Sequence, residues 1–230
     1  MASPWQAATV TAIAPETPTA KTISLRPATP LGHRPGQHVV VRLTASDGYT
    51  ASRSYSIATP STDGGEIDLT IERLPDGEVS TFLHDDLLVG DELEIRGPIG
   101  NWFTWQADEP AVLVGGGSGV VPLMAMLRHA RQVGFGDVRV LVSTRTPEDL
   151  YYAAELPGPE VTVIHTRAVP DGSSRAAGRL AIGDVAPLVL PGATAFVCGS
   201  TGFADAAAAL LMETGVPRER IRIERFGASG

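Results

Sequence analysis

The chain has 230 residues, 43% hydrophobic and 19% charged, with a formal net charge of −8. That length suffices for one large core or two of about 100–130 residues each, and the composition excludes a disordered or fibrous chain. The charge disfavours nonspecific attraction to nucleic-acid phosphates, the longest apolar runs fall short of the roughly 20 residues of a membrane span, and one cysteine, Cys198, excludes an internal disulfide framework and a cysteine-ligated iron–sulfur cluster held by this chain alone.

The first half reads as short strands broken by turns: Ala8–Ala14, Thr22–Arg26, His38–Thr44, Ser54–Ala58, Glu66–Arg73 and Glu92–Arg96. Alternation, β-branched residues and Gly-Pro breaks predict a closed or nearly closed antiparallel β-barrel, with one helix over Ser80–Leu88. From about Pro110 the rhythm changes. Strands are predicted at Ala111–Val114, Val138–Ser143, Val161–His165, Ala195–Cys198 and Ile221–Phe226, and helical segments at Val121–Gln132, Pro147–Glu155 and Phe203–Glu213. That alternation predicts an α/β doubly wound parallel sheet. Two domains follow, 1–107 and 108–230, with the boundary near Trp105–Pro110. The N-terminal Met-Ala-Ser-Pro-Trp lacks the basic start and apolar stretch of a secretory signal, so a cytoplasmic location is expected.

Several short motifs are candidates for chemistry. Arg53-Ser54-Tyr55-Ser56 brings a cation, an aromatic ring and a hydroxyl into one barrel strand, where alternation places Arg53 and Tyr55 on one face and Ser54 and Ser56 on the other. An ordinary exposed strand has the same look. Gly77-Glu78-Val79-Ser80 precedes the barrel helix, either as an anion site or as a plain helix cap in which Ser80 satisfies an end N–H. Gly115, Gly116, Gly117, Ser118 and Gly119 follow a buried strand and open a helix, the context a dinucleotide phosphate loop requires; a tight βα turn is the alternative. The same run is not a Gly-x-Ser-x-Gly nucleophile elbow, because Val120 stands where the last glycine would be.

The second strand of the parallel half ends in Ser143-Thr144-Arg145, with no carboxylate for ribose hydroxyls. Arg145 either accepts a 2′-phosphate or stacks on adenine or faces solvent. Cys198 by itself reads as a small core residue at a strand end. The five histidines have no zinc spacing, and no metal site is predicted.

Taken in order, these motifs resemble the ferredoxin–NADP reductase family of flavoproteins over essentially the whole chain, in particular the reductase components of bacterial oxygenase systems. The resemblance implies a flavin-binding barrel followed by an NAD(P)-binding domain, with FAD as cofactor, its ring at the domain cleft, and NADPH or NADH as substrate. It implies that Arg53 pairs with flavin phosphate, that Tyr55 packs on the isoalloxazine, that Ser56 lies near flavin N5, and that Gly77, Val79 and Ser80 hold the pyrophosphate. It places Cys198 and Gly199 at the nicotinamide, Glu224 beside that cysteine, and Phe226 over the flavin. Ser56, Cys198 and Glu224 are thereby the catalytic candidates, with Cys198 not a nucleophile.

The chain departs from members that end at the aromatic, since Gly227–Gly230 follow Phe226, and it carries no ferredoxin-like module. A separate electron acceptor, a ferredoxin-like protein or an oxygenase component, is therefore expected. Two other readings stay open on the residues: a non-catalytic flavin subunit of a larger dehydrogenase, and a nucleotide-sensing module without redox activity.

Overall fold

The computed structural model describes residues 3–60 and 65–226. The chain divides into two compact units, one ending at Thr104 and the other beginning at Trp105.

The first unit is a six-stranded antiparallel sheet in the order β4-β3-β6-β1-β2-β5, with β1 Trp5–Thr17, β2 Ala20–Pro27, β3 His38–Thr44, β4 Thr50–Ser56, β5 Ile67–Glu72 and β6 Glu92–Ile99. Period-two alternation drives Val10, Ile23, Leu25, Val39, Val41, Leu69, Ile71 and Ile95 into one core, each worth about 1.5–3 kcal/mol on full burial. The sheet closes on itself just past β4, where Ile57 bridges Leu69 and the Ala58 N–H donates to Asp68 O at 2.8 Å. A lone helix, α1, spans Glu78–Asp85, starting two residues before and ending three residues before the predicted Ser80–Leu88.

In the second unit a five-stranded parallel sheet runs β11-β10-β7-β8-β9, with β7 Ala111–Gly116, β8 Val138–Thr144, β9 Val161–His165, β10 Thr194–Ser200 and β11 Ile221–Phe226. The central strands β7 and β10 are buried along nearly their whole length, as expected of strands covered on both faces. Helix α2, Val120–Val133, ends on left-handed Gly134 (φ 71°), α3 is the short Ile182–Val185, and α4 is Thr201–Glu213.

One predicted helix is corrected. Pro147–Glu155 forms only a 3₁₀ turn over Pro147–Asp149 and then irregular turns. Tyr152 takes φ 56° there, outside helical space, and both Tyr151 and Tyr152 are buried, with the Arg128 guanidinium 5.0 Å from the Tyr152 ring centroid. Tertiary anchoring of the two tyrosines overrides local helix propensity.

Candidate functional site

In the first unit the candidate residues gather on β4 and at the start of α1. Arg53 is exposed and its Nη1 donates to its neighbour's carbonyl, Ser52 O, at 2.8 Å; it forms no ion pair among the described residues. Tyr55 packs against the barrel core, and burial pushes its phenol up to about 12, the Arg53 charge opposing. Ser56 is buried at 9% exposure.

The turn before α1 corrects the cap reading. Gly77, not Ser80, is the N-cap residue, and no side chain caps the helix. The Ser80 hydroxyl turns back instead, donating to Gly77 O at 3.0 Å and accepting from the Leu74 N–H at 3.2 Å. A Cβ on Gly77 would lie 2.3 Å from Ser80 Oγ and 2.9 Å from Leu74 Cβ, so only glycine allows this tight turn. The first backbone N–H groups of α1, those of Glu78 and Val79 included, are left for an anion, with the positive end of the helix behind them. An uncapped helix start and an unpaired guanidinium suit a diphosphate, and Tyr55 offers a flat apolar surface for a ring. The residues present fit a flavin nucleotide.

In the second unit β7 runs through Gly115 and Gly116 into a 3₁₀ turn, Gly117–Gly119, that opens α2 without a side-chain cap. Gly117 has φ 55°. A Cβ on Gly119 would sit 2.2 Å from Cys198 O and 2.6 Å from Gly199 N, so the loop lies directly on the Cys198-Gly199 main chain of β10. Ser118 stands at the crest of the turn. Sequence reasoning missed Phe203, in the first turn of α4. Cβ atoms on Gly116 and Gly199 would each come within 2.7 Å of its ring, which therefore rests on both glycines. The only prior signal was a bulky residue just after a Gly-Ser-Thr-Gly stretch.

Parallel register sets Cys198 opposite Glu224 and Ser200 opposite Phe226, the last described residue; Gly227–Gly230 lie outside the described residues. The Cys198 side chain is fully buried, and burial together with the Glu224 charge pushes its thiol well up, so it stays protonated and non-nucleophilic. Burial raises the Glu224 carboxyl to about 7. At the other side of the sheet Ser143 and Thr144 are buried and Arg145 is exposed. Arg145 O accepts from the Arg167 N–H at 2.9 Å, a main-chain bond that joins the segments carrying two exposed arginines. Arg167 was not among the sequence candidates.

A glycine turn feeding a helix at the carboxyl ends of parallel strands, in a chain whose antiparallel unit carries a second anion-receptive turn, defines a two-domain dinucleotide-binding oxidoreductase. Comparison agrees: the oxidoreductase FAD-binding domain family matches residues 8–104 and the oxidoreductase NAD-binding domain family matches residues 113–209. The ferredoxin–NAD(P)(+) reductase component of the naphthalene 1,2-dioxygenase/salicylate 5-hydroxylase systems of Ralstonia sp is 30% identical over 233 residues, covering 96% of this chain and 69% of that protein. The reductase component of propane 2-monooxygenase from Rhodococcus jostii is 30% identical, covering 94% of this chain and 62% of that protein. Among solved structures, the flavohem-like FAD/NAD-binding domain of nitric oxide dioxygenase from Vibrio cholerae superposes with a TM-score of 0.86 at 26% identity, covering 96% of this chain and 98% of that one. The chain belongs to the ferredoxin–NADP reductase-like family of FAD- and NAD-binding oxidoreductases. It spans 62% and 56% of the length of two of its curated relatives. No helix among the described residues is long and apolar enough to cross a membrane.

Proposed function

We propose that this chain is a cytoplasmic NADPH-dependent flavoprotein reductase that passes electrons to a separate protein, a ferredoxin-like carrier or an oxygenase component. The observation that carries the reading is the Cys198–Glu224 pair, set by strand register at the end of β10 with the glycine loop packed on it. FAD, when bound, supplies the chemistry: hydride acceptance at N5 and release of electrons one at a time. Everything else falls to the side chains. Arg53 and the open start of α1 at Gly77, Val79 and Ser80 hold the diphosphate, Tyr55 supports the ring, and Ser56 stands at N5. Gly115 to Gly119 hold the nucleotide pyrophosphate on the α2 N-terminus, Gly199 and Cys198 border the nicotinamide, and Phe226 covers the flavin. Residues 1–107 and 108–230 are the two functional domains. With one cysteine, these 230 residues do not by themselves ligate a cysteine-held cluster.

Glu224 gives the reaction a pH dependence. A nicotinamide becomes cationic as hydride leaves, so the ionised carboxylate stabilises the transition state and the protonated one does not. Reduction by NADPH is expected to accelerate as pH rises through about 7, and Glu224→Gln is expected to be several-fold slower above pH 7.5 and flat across that window, as read by stopped-flow absorbance. Stability moves the opposite way. The folded pKa lies above the unfolded value of 4.5, so the folded state binds more protons between the two, and the wild type loses stability from pH 4.5 to about 7 while Glu224→Gln does not.

The preference for NADPH rests on the neighbouring Arg145 and Arg167, neither of which forms an ion pair among the described residues. A 2′-phosphate is the natural partner of two exposed guanidinium groups. Anaerobic titration of the yellow protein with NADPH and, separately, NADH is the decisive experiment. NADPH is expected to win by about tenfold in kcat/KM, and Arg145→Ala and Arg167→Ala are each expected to cost about five- to thirtyfold with NADPH and little with NADH, on roughly 1–2 kcal/mol per charged contact. Equal use of both nucleotides by the wild type sinks the preference. No reduction by either, in a flavin-loaded protein, points to the non-catalytic electron-transfer subunit, and a colourless protein with no affinity for FAD points to the sensing module.

A further inference from the structure

Between the end of β8 and the start of α3 the chain carries four arginines, Arg145, Arg167, Arg175 and Arg179. Three of them are exposed and form no ion pair among the described residues. Arg175 is different. It is half-buried, and its guanidinium grips the Asp184 carboxylate with two bonds, Nε to Oδ1 at 2.7 Å and Nη2 to Oδ2 at 2.8 Å. Nη1 also donates to Ala176 O at 3.0 Å and Nη2 to Arg179 O at 3.0 Å, with Gly178 O and His165 O at 3.4 and 3.5 Å from Nη1. Every N–H of the fork thus has an acceptor, and none is left for an anion. The pairing holds the Asp184 carboxyl below the usual carboxylate range, so it stays ionised at neutral pH.

These bonds close a loop. From the end of β9 at His165 to the start of α3 at Ile182 there is no regular element, a length of loop that is usually functional. The outgoing leg is stitched to the end of β8, Thr166 N–H to Thr144 O and Arg167 N–H to Arg145 O, both at 2.9 Å. The chain turns at Pro170–Ser173, where Gly172 takes φ 78°, and comes back to His165, whose carbonyl accepts from the Gly178 N–H at 3.0 Å. Its ends are therefore close together, as in an Ω-loop. Arg175 fills the neck on the return leg and fastens it to α3 through Asp184, which also accepts from the Ala181 N–H at 2.9 Å. The loop lies at the carboxyl ends of β8 and β9, the edge of a parallel sheet where nucleotides bind.

We propose that Arg175 and Asp184 form a latch that holds Arg167 in place for the 2′-phosphate of NADPH, with Arg175 a positioning residue and not a phosphate ligand. This rests on the reading above, which gives the phosphate to Arg145 and Arg167. With the latch cut, the neck keeps the Gly178–His165 main-chain bond, and the leg that carries Arg167 must be ordered as the nucleotide binds. That ordering subtracts from affinity. The hydride-transfer residues lie on β10 and β11, so the loss falls on KM and not on kcat.

The test measures binding to FAD-loaded protein by calorimetry, with adenosine 2′,5′-bisphosphate and, for comparison, adenosine 5′-monophosphate, which lacks the 2′-phosphate. Arg175→Met and Asp184→Asn are each expected to weaken the bisphosphate about five- to tenfold and to leave the monophosphate where it was. Arg175→Lys, which keeps the charge and loses the fork, is expected to fall between. KM for NADPH is expected to rise by the same factor at unchanged kcat. In an Arg167→Ala background the further loss from Arg175→Met is expected to shrink to about twofold or less, because the two residues act as one unit. Wild-type affinity for the bisphosphate in Arg175→Met, an equal loss for both ligands, or a loss undiminished in the Arg167→Ala background overturns the latch; should Arg175→Met not fold, Asp184→Asn and Arg175→Lys carry the same comparison. A wild type that binds both ligands equally, or Arg167→Ala without effect on the bisphosphate, overturns the phosphate reading itself, and both are seen before any latch variant is made.

Discussion

Arg53→Ala is expected to yield a chain that folds normally and purifies largely without FAD. The side chain is exposed on β4, contributes nothing to the barrel core, and among the described residues its one hydrogen bond is to the adjacent carbonyl of Ser52. Its loss therefore leaves the apoprotein's melting temperature where it was. In the complex it removes a charge-assisted contact to phosphate, about 1.5–3 kcal/mol, which raises the Kd for FAD by about 10- to 100-fold. Arg53→Lys keeps the charge and loses the fork of donors, so an intermediate Kd is expected. The ratio of flavin to protein absorbance after purification and a fluorescence titration of the apoprotein with FAD measure both. A variant that retains full flavin and wild-type affinity would remove Arg53 from the site.

The second large effect is expected at Gly119. Here an added Cβ meets main chain, not a side chain that can swing away: Cys198 O at 2.2 Å, Cys198 C at 2.4 Å and Gly199 N at 2.6 Å. Those atoms belong to β10, paired on both sides by β7 and β11. Gly119→Ala must therefore lift the start of α2 off the strand, and with it the phosphate loop. A stability loss of about 2–4 kcal/mol and a fall of about 100-fold or more in NADPH-driven flavin reduction are expected, with FAD content retained. Gly117→Ala is the control. Nothing lies within 4 Å of its Cβ position, and only the left-handed φ of 55° opposes the substitution, at about 1–2 kcal/mol. Thermal melts and stopped-flow reduction separate the two variants; Gly119→Ala reducing at the wild-type rate would show that the loop does not hold the nucleotide.

Much of the fold was legible because its signals are local. Strand β3 begins and ends where alternation puts it, at His38 and Thr44, since Val39 and Val41 face the core and their neighbours do not. The glycine loop was equally plain, because a buried strand, a run of glycines and a helix are contiguous in the chain. The failures have a common cause in contacts from far away. Pro147–Glu155 has helix-forming residues, yet Arg128, on a different element, forms an ion pair with Glu155 at 2.7 Å and packs on Tyr152, whose backbone leaves helical space. The short α3 has Gly183 in its middle and Pro187 just beyond its end, so no periodic signal could develop. Ser80 carries the right residue type for a cap and sits three places too late, inside the first turn, where its hydroxyl serves the preceding loop.

By itself the sequence determined the two-part architecture and the candidates on single segments, from Arg53 to Ser56, Gly77 to Ser80, and Gly115 to Gly119, because alternation, glycine and helix starts are written in neighbouring residues. Tertiary structure decided the pairs, of which the family resemblance had named one, Glu224 beside Cys198. Cys198 meets Glu224, the Arg145 carbonyl meets the Arg167 N–H and Gly119 meets the Cys198 carbonyl through strand register and packing between segments distant in the chain. The charge state of Glu224 belongs to this second class as well: a carboxyl's pKa is a property of its surroundings, and burial at the end of β11 brings it to about 7.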